Sequence, residues 1–367
     1  MTAPPWALLA ELTHACPLHC GYCSNPLELT RRSRELTTSQ WAEVFRQAAE
    51  LGVLHTHLSG GEPLLRHDLE ALTHAAATAG LHTQLVTSGS GMTPQRLDAL
   101  AAAGLHSVQL SVQHADPARS DELAGSRAFE AKRATARLVT ERGLPLGLNV
   151  VLHRHNLDAI DDLMELALAW RADRIELANT QFYGWGLLNR AALMPTVEQL
   201  AAAESAVERW RRRLDGRLEI VWVIPDYFSG TPKPCMGGWG AVSLTVTPDG
   251  TALPCPAAKA LPHLDPPSVT DRPLRWIWED SPAFNRYRGT SWMPSPCRTC
   301  ERRTEDFGGC RCQAYAVTGN AADTDPACSL SPHHEDLTAH TTTNGHHQRV
   351  VPRRPTTPRY ARDVACS

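Results

Sequence analysis

Trp6-Ala-Leu-Leu-Ala-Glu-Leu12 runs directly into Thr13-His-Ala-Cys16-Pro-Leu-His-Cys20-Gly-Tyr-Cys23, and the junction between these two stretches decides how the chain is read. The first is a short apolar run of strand length. The second sets three thiols within eight residues, after which no cysteine appears for more than two hundred residues. A metal-binding loop at the end of a β-strand is the implication.

Outward from that junction, the cysteine-free stretch alternates strand-like runs with segments whose apolar residues recur at helical spacing. Strands are expected at Trp6–Leu12, Leu54–Leu58, His82–Thr87, His106–Val112, Leu146–Leu152 and Asp173–Ala178. The helices between and after them fall near Ser39–Leu51, Arg66–Ala79, Pro94–Ala103, Arg127–Arg142, Leu157–Trp170 and Thr196–Arg213. In the first helix, Thr38 or Ser39 can cap the N-terminus, Trp41, Val44, Phe45 and Ala48 form one apolar face, and Gly52 ends it. Six βα units with right-handed crossovers imply an α/β fold, a parallel sheet curling into a partial (β/α)6 TIM-type barrel, with its site at the C-terminal strand ends. Several notable motifs lie there: the cysteine loop, Ser59-Gly60-Gly61-Glu62-Pro63, Thr87-Ser88-Gly89 and Asn179-Thr180-Gln181.

Composition bounds the function classes. The chain has 367 residues and 42% apolar content, enough for one large domain with an appendage. A formal charge of −3 gives no sign of a non-specific nucleic-acid or anionic-membrane binder. No apolar run approaches the roughly 20 residues of a membrane span and no secretory pattern opens the sequence, so a cytoplasmic enzyme is expected. In that setting eleven cysteines point to metal or redox chemistry rather than disulfides.

Three thiolates in CX3CX2C spacing hold three irons of a four-iron cubane and leave the fourth open to a small molecule. A zinc knuckle is the alternative, with His14 or His19 as fourth ligand. The CX3CX2C loop resembles the signature of radical S-adenosylmethionine (SAM) enzymes. The resemblance implies a [4Fe-4S] cluster on Cys16, Cys20 and Cys23 whose open iron chelates SAM; one electron would then cleave SAM to methionine and a 5′-deoxyadenosyl radical. Gly60-Gly61-Glu62-Pro63 fits as a clamp for the SAM amino group, because glycines admit close backbone approach and a carboxylate or carbonyl accepts from an ammonium. By the same resemblance Ser88, Ser111 and Asn149 are candidates to touch the SAM carboxylate or ribose, or else are strand-end residues bonded to backbone.

After Arg213, proline, glycine and tryptophan replace the alanine-rich helices, and a second domain is expected over 216–336 following a barrel over 1–215. A hairpin, Val242–Val246 and Thr251–Cys255 around Thr247-Pro248-Asp249-Gly250, would return Cys255 towards Cys235. Cys297, Cys300, Asp306, Cys310, Cys312 and Cys328 follow. This pattern resembles the SPASM domain of radical SAM peptide-modifying enzymes, with Asp306 in a cysteine position and Cys312 added. The resemblance implies two auxiliary iron-sulfur clusters, one on Cys235, Cys255, Cys310 and Cys312, the other on Cys297, Cys300, Asp306 and Cys328. A solvated loop carboxylate is the alternative for Asp306, and zinc ribbons are the alternative for the cysteines.

Cys23-Ser-Asn-Pro-Leu-Glu-Leu29, Glu35-Leu-Thr-Thr38, Thr87-Ser-Gly89 and Glu176–Trp185 narrow the match: over roughly residues 5–335 the chain resembles the PqqE family of pyrroloquinoline quinone (PQQ) biosynthesis. Gly21 stands where that family commonly has proline, and Gly186 where alanine is common. The resemblance implies a carbon–carbon cross-link between a glutamate and a tyrosine of the precursor peptide PqqA, presented by the chaperone PqqD, with an external electron donor. Another SPASM maturase, thioether-forming or sulfatase-maturing, is one rival reading, and an iron-sulfur electron carrier is the other. Tyr183-Gly-Trp185 either lines the barrel mouth or packs between domains. Residues 337–367, poor in apolar periodicity and including His346, His347 and Cys366, are expected to be disordered.

Overall fold

A computed structural model describes residues 2–223, 226–342 and 349–354. Its sheet contains the six expected strands in sequence order: β1 (Ala7–Glu11), β2 (His55–Ser59), β3 (His82–Thr87), β4 (Ser107–Val112), β5 (Leu146–Leu152) and β6 (Arg174–Asn179), all parallel. Two further strands extend it in parallel, β7 (Glu219–Val223) beside β6 and β8 (Ser243–Val246) beside β1, and β9 (Ala252–Leu253) closes the edge antiparallel to β8. The expected α/β partial barrel is therefore present. The anticipated break at 215/216 does not interrupt it: strands from both sides of that boundary share one sheet of nine.

Helices cover the sheet in the rhythm the sequence sets, with α1 (Thr38–Leu51), α2 (Leu69–Thr78), α3 (Pro94–Ala102), α4 (Pro117–Ala124), α5 (Phe129–Glu141) and α6 (Ile160–Ala169). Trp41, Val44, Phe45 and Ala48 of α1 are buried as the spacing requires. Its cap is Thr37, not Thr38 or Ser39: Thr37 keeps extended backbone and exchanges side-chain and backbone bonds with Gln40, a reciprocal pair that positions 38 and 39 cannot form from inside the helix. Gly52 terminates the helix with φ 103°. The short α4 is an element the periodicity does not announce.

Beyond β6 come α7 (Gly184–Leu188), α8 (Arg190–Leu193) and α9 (Val197–Leu214), and the C-terminal part adds α10 (Leu274–Glu279), α11 (Pro282–Asn285), α12 (Arg311–Thr318) and α13 (His334–Thr342). The hairpin expected around Gly250 forms as β8 and β9. The C-terminal part also grips the barrel from outside: Leu274 N donates to Gln47 at 2.7 Å and Trp278 Nε1 to the Ala3 carbonyl at 2.9 Å. No helix among the described residues is long and apolar enough to cross a membrane.

The described parts of the tail, 337–342 and 349–354, are seated on the fold where disorder was expected. Leu337 is fully buried in α13 within a small core with Met194, Tyr227 and Ala327, and residues 349–354 return to the barrel mouth, where Arg353 is buried. Apolar periodicity missed this because the docking rests on one leucine, backbone bonds and one guanidinium. His346, His347 and Cys366 lie outside the described residues.

His153, just past β5, is wholly enclosed, and burial pushes its imidazole down to about 3. A folded value below the unfolded one means stability present above about pH 6.5 and lost as pH falls towards 3. Between pH 7.5 and 5.5 this group should remove about 1.4 kcal/mol. Denaturant titration of wild type and His153→Phe at both pH values should show that difference vanish in the variant.

Candidate functional site

The cysteine loop leaves β1 at the C-terminal edge of the sheet and is held on several sides. His19 N donates to Ala124 O at the end of α4 (2.8 Å), and Gly186 N donates to Cys23 O (3.1 Å). Thr13, at the root of the loop, donates its hydroxyl to Glu35 at 2.5 Å. Arg66 lies 3.6 Å from Glu35 and donates to the carbonyls of Leu12 and Leu36. Cys16, Cys20 and Cys23 share one pocket with Leu18, Tyr22, Ala124 and Ala128. Burial pushes the Cys16 thiol up to about 12 and Cys23 up to about 11, and raises Cys20 as well. Each thiolate also feels the positive charge of Arg353.

Each histidine that could complete a zinc site has one ring nitrogen bonded outside the triad. His14 Nδ1 accepts from Thr30 N at 2.9 Å while Nε2 faces Glu11 at 3.7 Å, and His19 Nδ1 meets the Arg353 carbonyl at 3.0 Å. Among the described residues no three Cys, His, Asp or Glu side chains converge as a single ion requires. Cubane thiolates each take a different iron, so three gathered thiols can serve a cluster, whereas a mononuclear zinc needs a fourth ligand.

Gly60 and Gly61 are glycines for a packing reason. A Cβ on Gly60 would overlap the Thr13 carbonyl and one on Gly61 the Ala15 carbonyl. This contact lets Gly61 N donate to Thr13 O (2.5 Å) and Glu62 N to Ala15 O (2.7 Å), locking the loop after β2 onto the cysteine loop. The Glu62 carboxylate, fully buried, accepts from Leu64 N (3.0 Å), Thr87 Oγ1 (2.6 Å), Ser88 N (2.7 Å) and the Ser88 hydroxyl. Glu62 and Ser88, both expected to face SAM, are thus bonded to each other and weld the ends of β2 and β3.

Ser111 and Asn149 stand opposite each other in the β4–β5 register, and Asn149 stands opposite Glu176 of β6. All three are half-buried, on the strand face away from the helix-covered leucines. Lys132 was not anticipated. It is fully buried, its Nζ donates to Ser88 O at 3.2 Å, and its charge reaches Cys20, Glu62 and Cys16. The available signal was a lysine on the apolar stripe of α5, between Phe129 and Ala136.

In the C-terminal part, Cys235, Cys255, Cys310 and Cys312 come together. The Sγ atoms of Cys255 and Cys312 lie 3.9 Å apart, and Cys235 reaches both Cys255 and Cys310. Thiol bonds from Cys235 and Cys312 pull Cys255 well below the ordinary cysteine value, and its partners rise. A separate cavity is lined by Cys297, Cys300, Asp306 and Cys328, together with Pro296, Arg303 and Thr324. These are the two groupings that the SPASM resemblance implies. Asp325 links them: its carboxylate accepts from Cys310 N (2.6 Å), Gln313 Nε2 (2.9 Å) and Ala327 N (2.9 Å), and burial pushes it up to about 7. The half-buried Tyr183 feels Cys255, Cys312 and Cys310, which puts it between the barrel mouth and the quartet.

Residues 10–167 match the family model of the radical SAM superfamily, and residues 235–301 match that of the iron-sulfur cluster-binding SPASM domain. Asp306, Cys310, Cys312 and Cys328 lie beyond the second match. The PqqA peptide cyclase of Streptomyces rochei is 55% identical over 353 residues, 96% of this chain and 97% of that protein. The PqqA peptide cyclase of Methylocella silvestris is 54% identical over 336 residues, 91% of this chain and 90% of that protein. The chain belongs to the PqqA peptide cyclase family. Likeness among solved structures concerns fold: Streptococcus suis SuiB bound to S-adenosylmethionine has a TM-score of 0.74 at 20% identity, covering 89% of this chain and 78% of that one. anSMEcpe with bound AdoMet and Cp18Cys peptide has a TM-score of 0.64 at 15% identity, covering 92% of this chain and 96% of that one.

Gly61→Ala should separate the two loops, since the obstructing atom is backbone. A loss of about 1–3 kcal/mol is expected, with reduced iron retention, read by thermal unfolding and iron analysis. Wild-type values in both would refute the packing role.

Proposed function

We propose that this protein is the radical SAM cyclase that joins a glutamate side-chain carbon to the ring of a tyrosine in the precursor peptide PqqA, with loss of two hydrogens. The observation that carries this is one sheet edge bearing the cysteine triad and the Gly-Gly-Glu-Pro loop, with the thiol quartet attached through β8, in a chain more than half identical to PqqA peptide cyclases over nine tenths of its length. SuiB and anSMEcpe share its fold at only 20% identity or less, so they give the rival readings no comparable support.

Cys16, Cys20 and Cys23 would hold the SAM-binding [4Fe-4S] cluster, which with SAM supplies a hydrogen-abstracting radical. The loop of Gly60, Gly61 and Glu62 would present backbone to the SAM amino group. In this reading Glu62 and Ser88 fix the loop, Lys132 supplies positive charge beneath it, and Ser111 and Asn149 line the approach to the ribose or carboxylate. Cys235, Cys255, Cys310 and Cys312 would hold one auxiliary cluster, and Cys297, Cys300, Asp306 and Cys328 the other. The peptide would enter at the barrel mouth past Tyr183, delivered by PqqD, with electrons from an external donor.

Mass spectrometry of the PQQ precursor peptide after anaerobic incubation with reconstituted enzyme, SAM, reductant and PqqD should show loss of two hydrogens at one Glu–Tyr pair and release of 5′-deoxyadenosine. Deoxyadenosine with an unaltered peptide would overturn the substrate assignment. Asp306→Ala should lose about a third of the bound iron and sulfide; unchanged content would remove Asp306 from the ligand set.

A further inference from the structure

The C-terminal residues 349–354 form a strap across the cysteine loop. Asn189 holds it by accepting from Val351 N (2.7 Å) and donating to Val351 O and Gly21 O (2.8 Å each), and Arg353 N donates to His19 O (3.1 Å). The strap carries Arg353, 2% exposed, into the triad's pocket. Its Nη2 donates to His14 O at 2.6 Å, whereas Nε and Nη1 are buried without an oxygen or nitrogen acceptor among the described residues, and the guanidinium reaches the Cys23 thiol. A buried guanidinium whose remaining N–H groups face only thiol sulfur is costly unless an anion sits there.

Residue 21 supplies independent support. A Cβ at Gly21 would overlap Val350 Cγ1, so the strap's seat exists because residue 21 carries no side chain. Gly21 has no positive φ to explain it. Space for Val350 is the reason the structure provides.

We propose that Arg353, delivered by the C-terminal strap, is the fixed counter-charge of the cluster held by Cys16, Cys20 and Cys23, and stabilises its reduced form. This rests on the reading that those thiolates hold the cluster. Reduction adds one negative charge to an already anionic, thiolate-bound centre, and the potential of such centres follows net charge and hydrogen bonding to sulfur. A buried cation whose charge acts on all three thiols favours the reduced state because little water screens it.

The test is an EPR-monitored redox titration of the reconstituted full chain without SAM, the triad's cluster being identified as the signal that added SAM perturbs. In Arg353→Gln the ratio of reduced to oxidised cluster at a fixed solution potential should fall about tenfold, equivalent to about 59 mV for one electron, and Arg353→Lys should restore most of it. Gly21→Ala, which unseats Val350 while leaving Arg353 in the chain, should move the potential the same way. A cluster-loaded Arg353→Gln with wild-type potential would overturn the proposal. If that variant fails to load, an unshifted Gly21→Ala would overturn it. A wild-type protein with no SAM-sensitive cluster would overturn the ligand assignment and this inference together.

Discussion

Two backbone hydrogen bonds, Gly61 N to Thr13 O and Glu62 N to Ala15 O, lock the loop after β2 onto the cysteine loop at the mouth of this barrel. They form only because neither glycine has a side chain to keep the loops apart. Once the loops are locked, the direction of the cysteine loop is set by β1 and the position of Glu62 by β2. Glu62 then fixes the end of β3 through Thr87 and Ser88. Three strand ends become one rigid rim. A cofactor bridging the cysteine loop and the glycine loop would meet a surface already arranged for it, so little ordering entropy remains to oppose binding.

The second half of the molecule is tied to that rim through the sheet itself. β8 pairs with β1 on the side opposite β2, and the hairpin it begins leads to Cys255. A tethered domain would move relative to the barrel, whereas a shared sheet edge holds the thiol quartet at a constant separation from the triad. Electron transfer between centres depends on such constancy. Tyr183, reached by the charges of the quartet and followed by a helix whose Gly186 bonds to Cys23, occupies the ground between them.

Much of this could be read from residue order because it depends on local chemistry. The CX3CX2C loop, the six βα units and the apolar face of α1 each follow from spacing within a few residues. The groupings of the C-terminal thiols came from a family pattern, and the structure gathers the same residues. What the sequence withheld is non-local. Glu219–Val223 and Ser243–Val246 are short runs whose place is fixed by partners on β6 and β1, more than forty and two hundred residues away. Glu62, within the glycine clamp, and Ser88, by family resemblance, looked like two ligand contacts; their mutual bond is visible only once the strands lie side by side. The tail seemed featureless because it contributes no periodic face, yet one leucine and one arginine suffice to seat it.

Charge explains why distant elements converge on the triad. Burial raises all three thiols far above neutral pH, so binding iron there means displacing protons from a dry pocket. Thiolates and a cluster's negative charge would be poorly tolerated in that environment without compensation. The barrel supplies Lys132 from beneath, on a helix whose other inward residues are apolar or hydroxyl-bearing, and the strap brings Arg353 from above. Neither cation belongs to the cysteine motif, and neither is explained by the stability of its own element, since an alanine or leucine would serve α5 better at position 132. Anionic groups face both cations: Lys132 feels Cys20, Glu62 and Cys16, and Cys20 is the thiol whose pKa registers Lys132 and Arg353 together.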